Sequence, residues 1–468
     1  MRHYLKWFIL IVAVTVAFGS VWQSEAWGRN RSTSSIQVTK TSLVLENYEF
    51  GPGVSKVVLE TNANVRGVAL QSDTSVTTAG VARQVKGAYL SDAQGNAQNG
   101  SSRYLTLELE VGYNPDDPSQ AASPLTFDLS TYRNKWVSSY VVAVSNLSLR
   151  GERDRRSQLV SSEQEAIANK ITPTADRFSE RGTSSLAYAA YQPQNAAGGE
   201  KNPLIVWLHG IGEAGTDLNL PLLASEVTAL TQDPIQSHFS STGTGSQKGA
   251  HVLVPQSPSA WVDDSFNSQY AESLKATIDA YVSSHPDVDA NRIYLAGASN
   301  GGGMTLKMGT SYPDYFAALI PIASPYPYQT QDDQGKTVYR LDDATKNSLK
   351  DQPMWLIHTA NDASITPDSS ALPFYKAIID SGAENKWISY YESAIGTDLP
   401  GTNYNGHWSW IYFFNDQVTG VQNTSNVASM DGLSGLVATN PTQGGDSKAT
   451  VKGIQYSNIF DWMNAQSR

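Results

Sequence analysis

Arg292-Ile293-Tyr294-Leu295-Ala296-Gly297-Ala298-Ser299-Asn300-Gly301-Gly302-Gly303-Met304 decides the fold. Residues 292–296 form a short, nearly continuous apolar run, as expected of a strand buried on both faces of a parallel sheet. Gly297-Ala298-Ser299-Asn300-Gly301 follows directly and fits G-x-S-x-G, and Gly302 to Met308 then reads as a helix. The pentapeptide alone is weak evidence. Between a buried strand and a helix it is a nucleophile elbow, a sharp turn that presents the serine hydroxyl at the carboxyl edge of a sheet. The competing reading is a glycine-rich turn with an incidental serine.

Outward from that turn the chain keeps one rhythm. Leu204 to Leu208, His251 to Val254, Ala317 to Ile320 and Met354 to Ile357 are further apolar runs. Tyr270 to Val282 and Pro367 to Ile379 carry apolar residues at helical spacing. Strands alternating with helices predict a three-layer α/β domain with a mostly parallel sheet over residues 186–468. Within it, residues 416–452, rich in Gly, Asn, Ser and Thr, read as a surface insertion.

A serine hydroxyl is a weak nucleophile at neutral pH and needs a base. On this kind of sheet the order along the chain is serine, acid, histidine. Of seven histidines only His358 and His407 follow Ser299. His358 lies inside an apolar run and reads as a core histidine. His407 lies in Asn405-Gly406-His407-Trp408, a glycine-containing loop, and is the expected base. Asp362 ends the run Met354 to Ala360 and is the expected acid. Its competitor, Asp368, is explained by a helix start. The oxyanion requires two backbone N–H groups. Asn300 is expected to supply one. The other should come from His209-Gly210-Ile211-Gly212-Glu213-Ala214-Gly215, with Ile211 preferred and Gly212 as alternative. Gln256, Trp261 and Trp408 are candidate substrate-pocket residues.

Residues 35–148 have a different period. Tyr104 to Val111 alternates apolar and polar, and similar short runs are separated by turns such as Gly51-Pro52-Gly53. This predicts an all-β sandwich, without a single histidine and so without an obvious catalytic role. Residues 149–185, with Arg150, Arg153, Arg155 and Arg156 interleaved with Glu152 and Asp154 and a helix-like stretch from Ser162 to Lys170, read as a solvated connector. Residues 1–26 have the charged, apolar, small-residue order of a secretory signal ending near Ala26. The expectation is therefore a secreted, extracellular protein of bacterial type, with cell-surface association as the alternative and no membrane span after removal of the leader.

Across 468 residues there is no cysteine, which excludes disulfide staples, a cysteine nucleophile and a thiolate zinc site. A net charge of −11 argues against a nucleic-acid partner. No cofactor or metal motif is present, and oligomeric state is not legible.

Trp207-Leu208-His209-Gly210-Ile211-Gly212-Glu213-Ala214-Gly215, Pro255-Gln256-Ser257-Pro258 with Trp261, and Gly406-His407-Trp408-Ser409-Trp410 together resemble secreted bacterial esterases of the α/β-hydrolase superfamily. The resemblance is to the group with an N-terminal immunoglobulin-like domain (EstA-like), related to polyhydroxybutyrate-depolymerase-like and feruloyl-esterase-like enzymes. Ser257 stands where those relatives often have cysteine. The resemblance implies an α/β-hydrolase fold preceded by an immunoglobulin-like sandwich, and a serine carboxylesterase acting on small or polymer-attached esters. Two alternatives stand beside it. One is a prolyl-oligopeptidase-type serine peptidase, against which about 115 residues of β structure is too little for a propeller. The other is a surface-binding protein acting through its β-domain.

Overall fold

The expected alternation of strands and helices builds an eight-stranded sheet. The computed structural model describes residues 35–194, 200–240, 248–325, 329–331, 333–334, 337–339, 341–423 and 436–468. The expected leader, residues 1–26, lies outside them. In spatial order the strands are Glu180–Thr183, Ala187–Tyr191, His251–Gln256, Asn202–Leu208, Val288–Ala298, Ala318–Ile322, Met354–Thr359 and Lys386–Tyr391. The first two run antiparallel to their neighbours, and the six from His251–Gln256 onward are parallel.

The uninterrupted apolar runs have a direct cause. Leu204, Val206 and Leu208 enter one core, and Ile205 and Trp207 enter another on the opposite face. The first face is covered by the helices Ala271–Ser284, Asn300–Ser311 and Ala371–Asp380, which supply Leu274, Ile278, Met304, Leu372 and Phe374. The other is covered by Asp233–His238, Trp410–Phe414 and Ile459–Asn464, which supply Ile235, Phe413, Phe460 and Trp462. A strand with both faces buried cannot alternate apolar with polar residues.

Upstream, nine strands form one branched hydrogen-bonded network around a separate core of Leu43, Val57, Leu59, Leu105, Leu107, Val142 and Leu149. The network is continuous because the long strand Gly51–Ala69 changes partners along its length. Residues 56–60 pair with Ser102–Leu109 and residues 65–69 with Val141–Gly151. The fold is therefore an all-β sandwich followed by a three-layer α/β domain, as expected.

The connector differs from its expected form. The helix expected over Ser162 to Lys170 is absent. Gln158–Glu165 is a strand antiparallel to Val141–Gly151, and Lys170–Ile171 pairs with Val38–Tyr48. The burial pattern of Gln158–Glu165 alternates, so an amphipathic edge strand accounts for the polar residues that suggested a solvated helix. Residues 36–468 form one compact unit. The junction is polar as well as apolar: Asn47 Nδ2 donates to the carbonyls of Leu222 and Ser225. Glu49 accepts from Thr397 N, Thr397 Oγ1 and Asn415 Nδ2.

The described flanks of residues 416–452 lie along the outer edge of the sheet. Gln422 N donates to Ile388 O, Thr439 N to Tyr390 O, and Tyr390 N to Gly444 O. Val418, Val421 and Ala449 are fully buried, so these flanks cap an edge strand rather than hang free.

Candidate active site

Ser299 sits in the turn between Val288–Ala298 and the helix Asn300–Ser311 with φ +55° and ψ −120°. This conformation is costly for a residue with a Cβ and persists only where the surroundings enforce it. Here the enforcement is visible. Ser299 N donates to Ile322 O at 2.9 Å, and a Cβ on Gly301 would lie 2.1 Å from Leu208 O and 2.5 Å from His209 O. A Cβ on Gly302 would lie 2.8 Å from Ile322 O. The helix start is thus pressed against the ends of two strands, which only glycine permits.

Asp362 and His407, 45 residues apart, are joined: His407 Nδ1 lies 2.8 Å from Asp362 Oδ2. Asp362 is buried, and its Oδ1 accepts from Ser364 N and Ile365 N, each at 2.8 Å. His358 Nε2 stands 3.3 Å from Oδ2 and 2.8 Å from Ile365 O. Facing a carbonyl, that nitrogen carries the proton. Burial by itself raises the carboxyl pKa of Asp362, but the bonds from His358 and His407 outweigh it and hold Asp362 ionised well below the usual carboxylate range. His407 is fixed from behind: Thr359 Oγ1 bonds the Gly406 carbonyl, and a Cβ on Gly406 would strike Asn361. Asp368 instead opens the short helix Pro367–Ser369.

Among the described residues Ser299 Oγ forms no hydrogen bond. Such contacts are often long in an unliganded site and tighten with substrate.

Ile211 opens the 3₁₀ turn Ile211–Glu213, and Asn300 opens its helix. Both are first-turn positions, whose N–H groups have no intrahelical acceptor. The turn abuts the elbow, since a Cβ on Gly210 would lie 3.8 Å from Ser299 Cβ. The Asn300 side chain points elsewhere: Oδ1 accepts from Trp261 N at 2.6 Å and Nδ2 donates to Val262 O at 2.8 Å.

The three pocket candidates have other occupations. Gln256 is buried and its Nε2 donates to the carbonyls of Glu213 and Asp217, at 2.8 and 3.0 Å. Trp261 is 1% exposed, with Nε1 donating to His209 O. Neither can offer a face to a ligand in this arrangement. Trp408 packs with Tyr404 and, across the junction with the sandwich, with Tyr113. Ser257, the departure from the resembled pattern, donates its N–H to His209 Nε2 at 3.2 Å and its hydroxyl to Ser259 O at 2.7 Å. His209 must therefore leave Nε2 unprotonated, and burial pushes its pKa down to about 4.

Sequence reasoning missed several contacts. His358 joins Asp362, and burial raises the Glu213 carboxyl to about 7 beside the elbow. Arg133, Asn134 and Trp136, from the sandwich, reach the turn at Ile211–Glu213 and the segment that follows it. The His358 contact was within reach, as an i,i+4 pair at a strand end. The sandwich contacts span about 80 residues and leave no local signal.

Among the described residues no group of acidic or histidine side chains is arranged to hold a metal ion. No helix among them is long and apolar enough to cross a membrane.

Residues 40–153 match the family model described as esterase Ig-like N-terminal domain. Residues 186–381 match that described as esterase PHB depolymerase. No curated protein matches the chain. Among solved structures, "Crystal Structure of a Thermostable Esterase" is similar with a TM-score of 0.61 and 22% identity, over 81% of this chain and 97% of the other. A Pyrococcus horikoshii acylaminoacyl peptidase gives a TM-score of 0.31 at 18% identity, over 55% and 44% of the two chains. Est1E from Butyrivibrio proteoclasticus gives 0.27 at 15%, over 45% and 86%. Only the first bears on the fold, and at that identity it bears on the fold alone.

Proposed function

We infer that this chain, which belongs to the α/β-hydrolase-type esterases with an Ig-like N-terminal domain, is a serine carboxylesterase. The observation that carries the reading is the buried Asp362 carboxylate on His407 Nδ1, in a site whose serine is held at φ +55°. A carboxylate on Nδ1 fixes the tautomer that leaves Nε2 able to accept a proton.

In this reading Ser299 attacks an ester carbonyl as His407 takes its hydroxyl proton, and Asp362 stabilises the resulting imidazolium. The N–H groups of Ile211 and Asn300 hold the tetrahedral oxyanion. His407 returns the proton to the leaving alcohol, and water releases the acid by the reverse steps. The substrate is a small or polymer-attached ester. Export by way of residues 1–26 is part of the proposal, and rests on the charge and apolar order of that segment. So are domain limits: Gln158–Glu165 and Lys170–Ile171 pair with strands of the sandwich and Glu180–Thr183 with the eight-stranded sheet, which supports a sandwich of 35–171 and a catalytic domain of 180–468 in place of the expected 35–148, 149–185 and 186–468.

The test is hydrolysis of a short-chain nitrophenyl ester by the wild type and Ser299→Ala, alongside a peptide anilide. The variant should lose activity by about 10⁴ or more. Wild-type turnover by the variant refutes the serine mechanism, and faster cleavage of the anilide than of the ester favours a peptidase.

A further inference from the structure

The hairpin Leu125–Asp128/Arg133–Trp136 belongs to the sandwich in sequence, yet its second strand reaches the loop beside Ser299. Arg133 Nη1 donates to Ile211 O at 2.9 Å. Asn134 Nδ2 donates to Glu213 Oε1 at 3.2 Å, and Trp136 Nε1 to Asp217 Oδ2 at 2.8 Å. The hairpin also closes over Gly212: a Cβ there would lie 2.8 Å from Asn134 Nδ2 and 3.3 Å from Phe127. From the opposite side, Gln256 holds the Glu213 and Asp217 carbonyls, and Gly215 N donates to Ser257 O at 2.8 Å.

The turn between these clamps is weak by itself. It is one 3₁₀ turn, closed by Glu213 N to Gly210 O and Ala214 N to Ile211 O, each at 3.3 Å. Such long bonds do not fix the direction of a peptide N–H. An oxyanion donor needs that direction fixed in advance, because its effect depends on holding a distance of about 2.7–3.1 Å to an atom that carries charge only transiently.

We propose that Arg133 and Asn134 of the sandwich are positioning residues for ester hydrolysis, holding the Ile211–Glu213 turn so that the Ile211 N–H faces the carbonyl attacked by Ser299. The inference rests on the reading in which Ile211 donates to the oxyanion. It gives the sandwich a defined part in turnover, although the sandwich contributes no group to the bond-making step. A guanidinium is suited to the task, because its planar fork is rigid and stays charged at any working pH.

The experiment compares full-length wild type with Arg133→Ala, Arg133→Lys and Asn134→Ala. The readouts are kcat and KM on a short-chain nitrophenyl ester, inhibition by a trifluoromethyl ketone that forms a tetrahedral adduct with serine, and the melting temperature. Arg133→Ala should lower kcat about 10- to 100-fold, short of the 10²–10³ for deleting an oxyanion donor outright. KM should stay within about twofold, since the ground-state ester barely uses the donor. Affinity for the ketone should fall by the same factor as kcat, Arg133→Lys should recover part of the loss, and Asn134→Ala should show a smaller loss of the same pattern. The inference is overturned if Arg133→Ala keeps wild-type kcat and ketone affinity, or raises KM alone, while Ser299→Ala is inactive. If Ser299→Ala itself remains active, the underlying serine reading has failed and this inference fails with it.

Discussion

Replacing Asp362 by asparagine changes one atom and should remove nearly all turnover without unfolding the protein. The two carboxylate oxygens have separate duties. Oδ1 accepts two backbone N–H groups, from Ser364 and Ile365, and Oδ2 faces His407 Nδ1 at 2.8 Å. An asparagine keeps its carbonyl oxygen on the two N–H groups, since an amide NH₂ there would oppose two donors. Its NH₂ must then face His407, whose Nδ1 can only accept. The proton moves to Nε2, where the imidazole no longer serves as a base toward Ser299. The same exchange in a serine protease triad costs about 10⁴ in kcat, and no feature here softens it. The NH₂ also meets the Nε2 proton of His358 at about the 3.3 Å separation found in the wild type, a repulsion that His358 can relieve through its bond to Ile365 O. Asp362→Ala is the informative contrast. It strands the N–H groups of Ser364 and Ile365 in a buried turn, at about 1–3 kcal/mol for each group left unpaired. Both variants should therefore be inactive on a nitrophenyl ester, but only the alanine variant should show a large fall in urea-unfolding stability. If Asp362→Asn keeps kcat within tenfold of wild type, the tautomer argument is wrong and the acid lies elsewhere.

Two further outcomes follow from other parts of the chain. Gly301→Ala places a methyl group 2.1 Å from Leu208 O and 2.5 Å from His209 O, both backbone atoms of a buried strand end. It should cost about 4 kcal/mol or more in chemical unfolding, where an ordinary helical Gly→Ala would be neutral or stabilising. His238 bridges Asp416 and Asp461 at 2.9 and 2.7 Å, and the Asp416 bond does most to raise its pKa to about 9. Its folded pKa exceeds the unfolded value near 6.5, so the stabilisation is complete below pH 6.5 and is lost as pH rises through 9. For a partly exposed cluster this amounts to about 1 kcal/mol, so the melting temperature of the wild type should fall more between pH 6 and 9 than that of His238→Gln.

The α/β domain was legible because its strands are buried on both faces. That burial writes apolar runs directly into the sequence, at Leu204 to Leu208 as at Ile293 to Ala296. Ser299 could be read because a strained turn needs glycines at fixed offsets, and His407 by the order along the chain. The Asp362–His407 contact was a harder inference, since 45 residues separate the pair, and it rested on Asp362 ending a strand. Gln158–Glu165 was misread for a physical reason: a half-exposed edge strand with Glu163 and Glu165 facing out resembles the polar face of a helix over so short a span. Trp261 lies beside the motif in sequence, and its buried indole donates its N–H to His209 O, so the ring braces the loop.

The sandwich contacts mark the limit of any reading from sequence. Arg133 lies 78 residues before Ile211, in a stretch with no motif, no histidine and no helical period. Which side chains of the hairpin meet the His209–Gly215 loop is set by the packing of one domain on another, and neither domain's pattern encodes it. Yet the loop itself carried a hint. His209 to Gly215 holds three glycines in seven residues, and its own turn is closed by bonds of 3.3 Å. A glycine-rich loop allows close approach but supplies little rigidity, whereas a preorganised oxyanion site requires rigidity. That deficit has to be met by contacts from outside the loop. On the hydrolase side Gln256 meets part of it. The remainder falls to Arg133 and Asn134, so catalytic competence should depend on the sandwich being docked and not merely present.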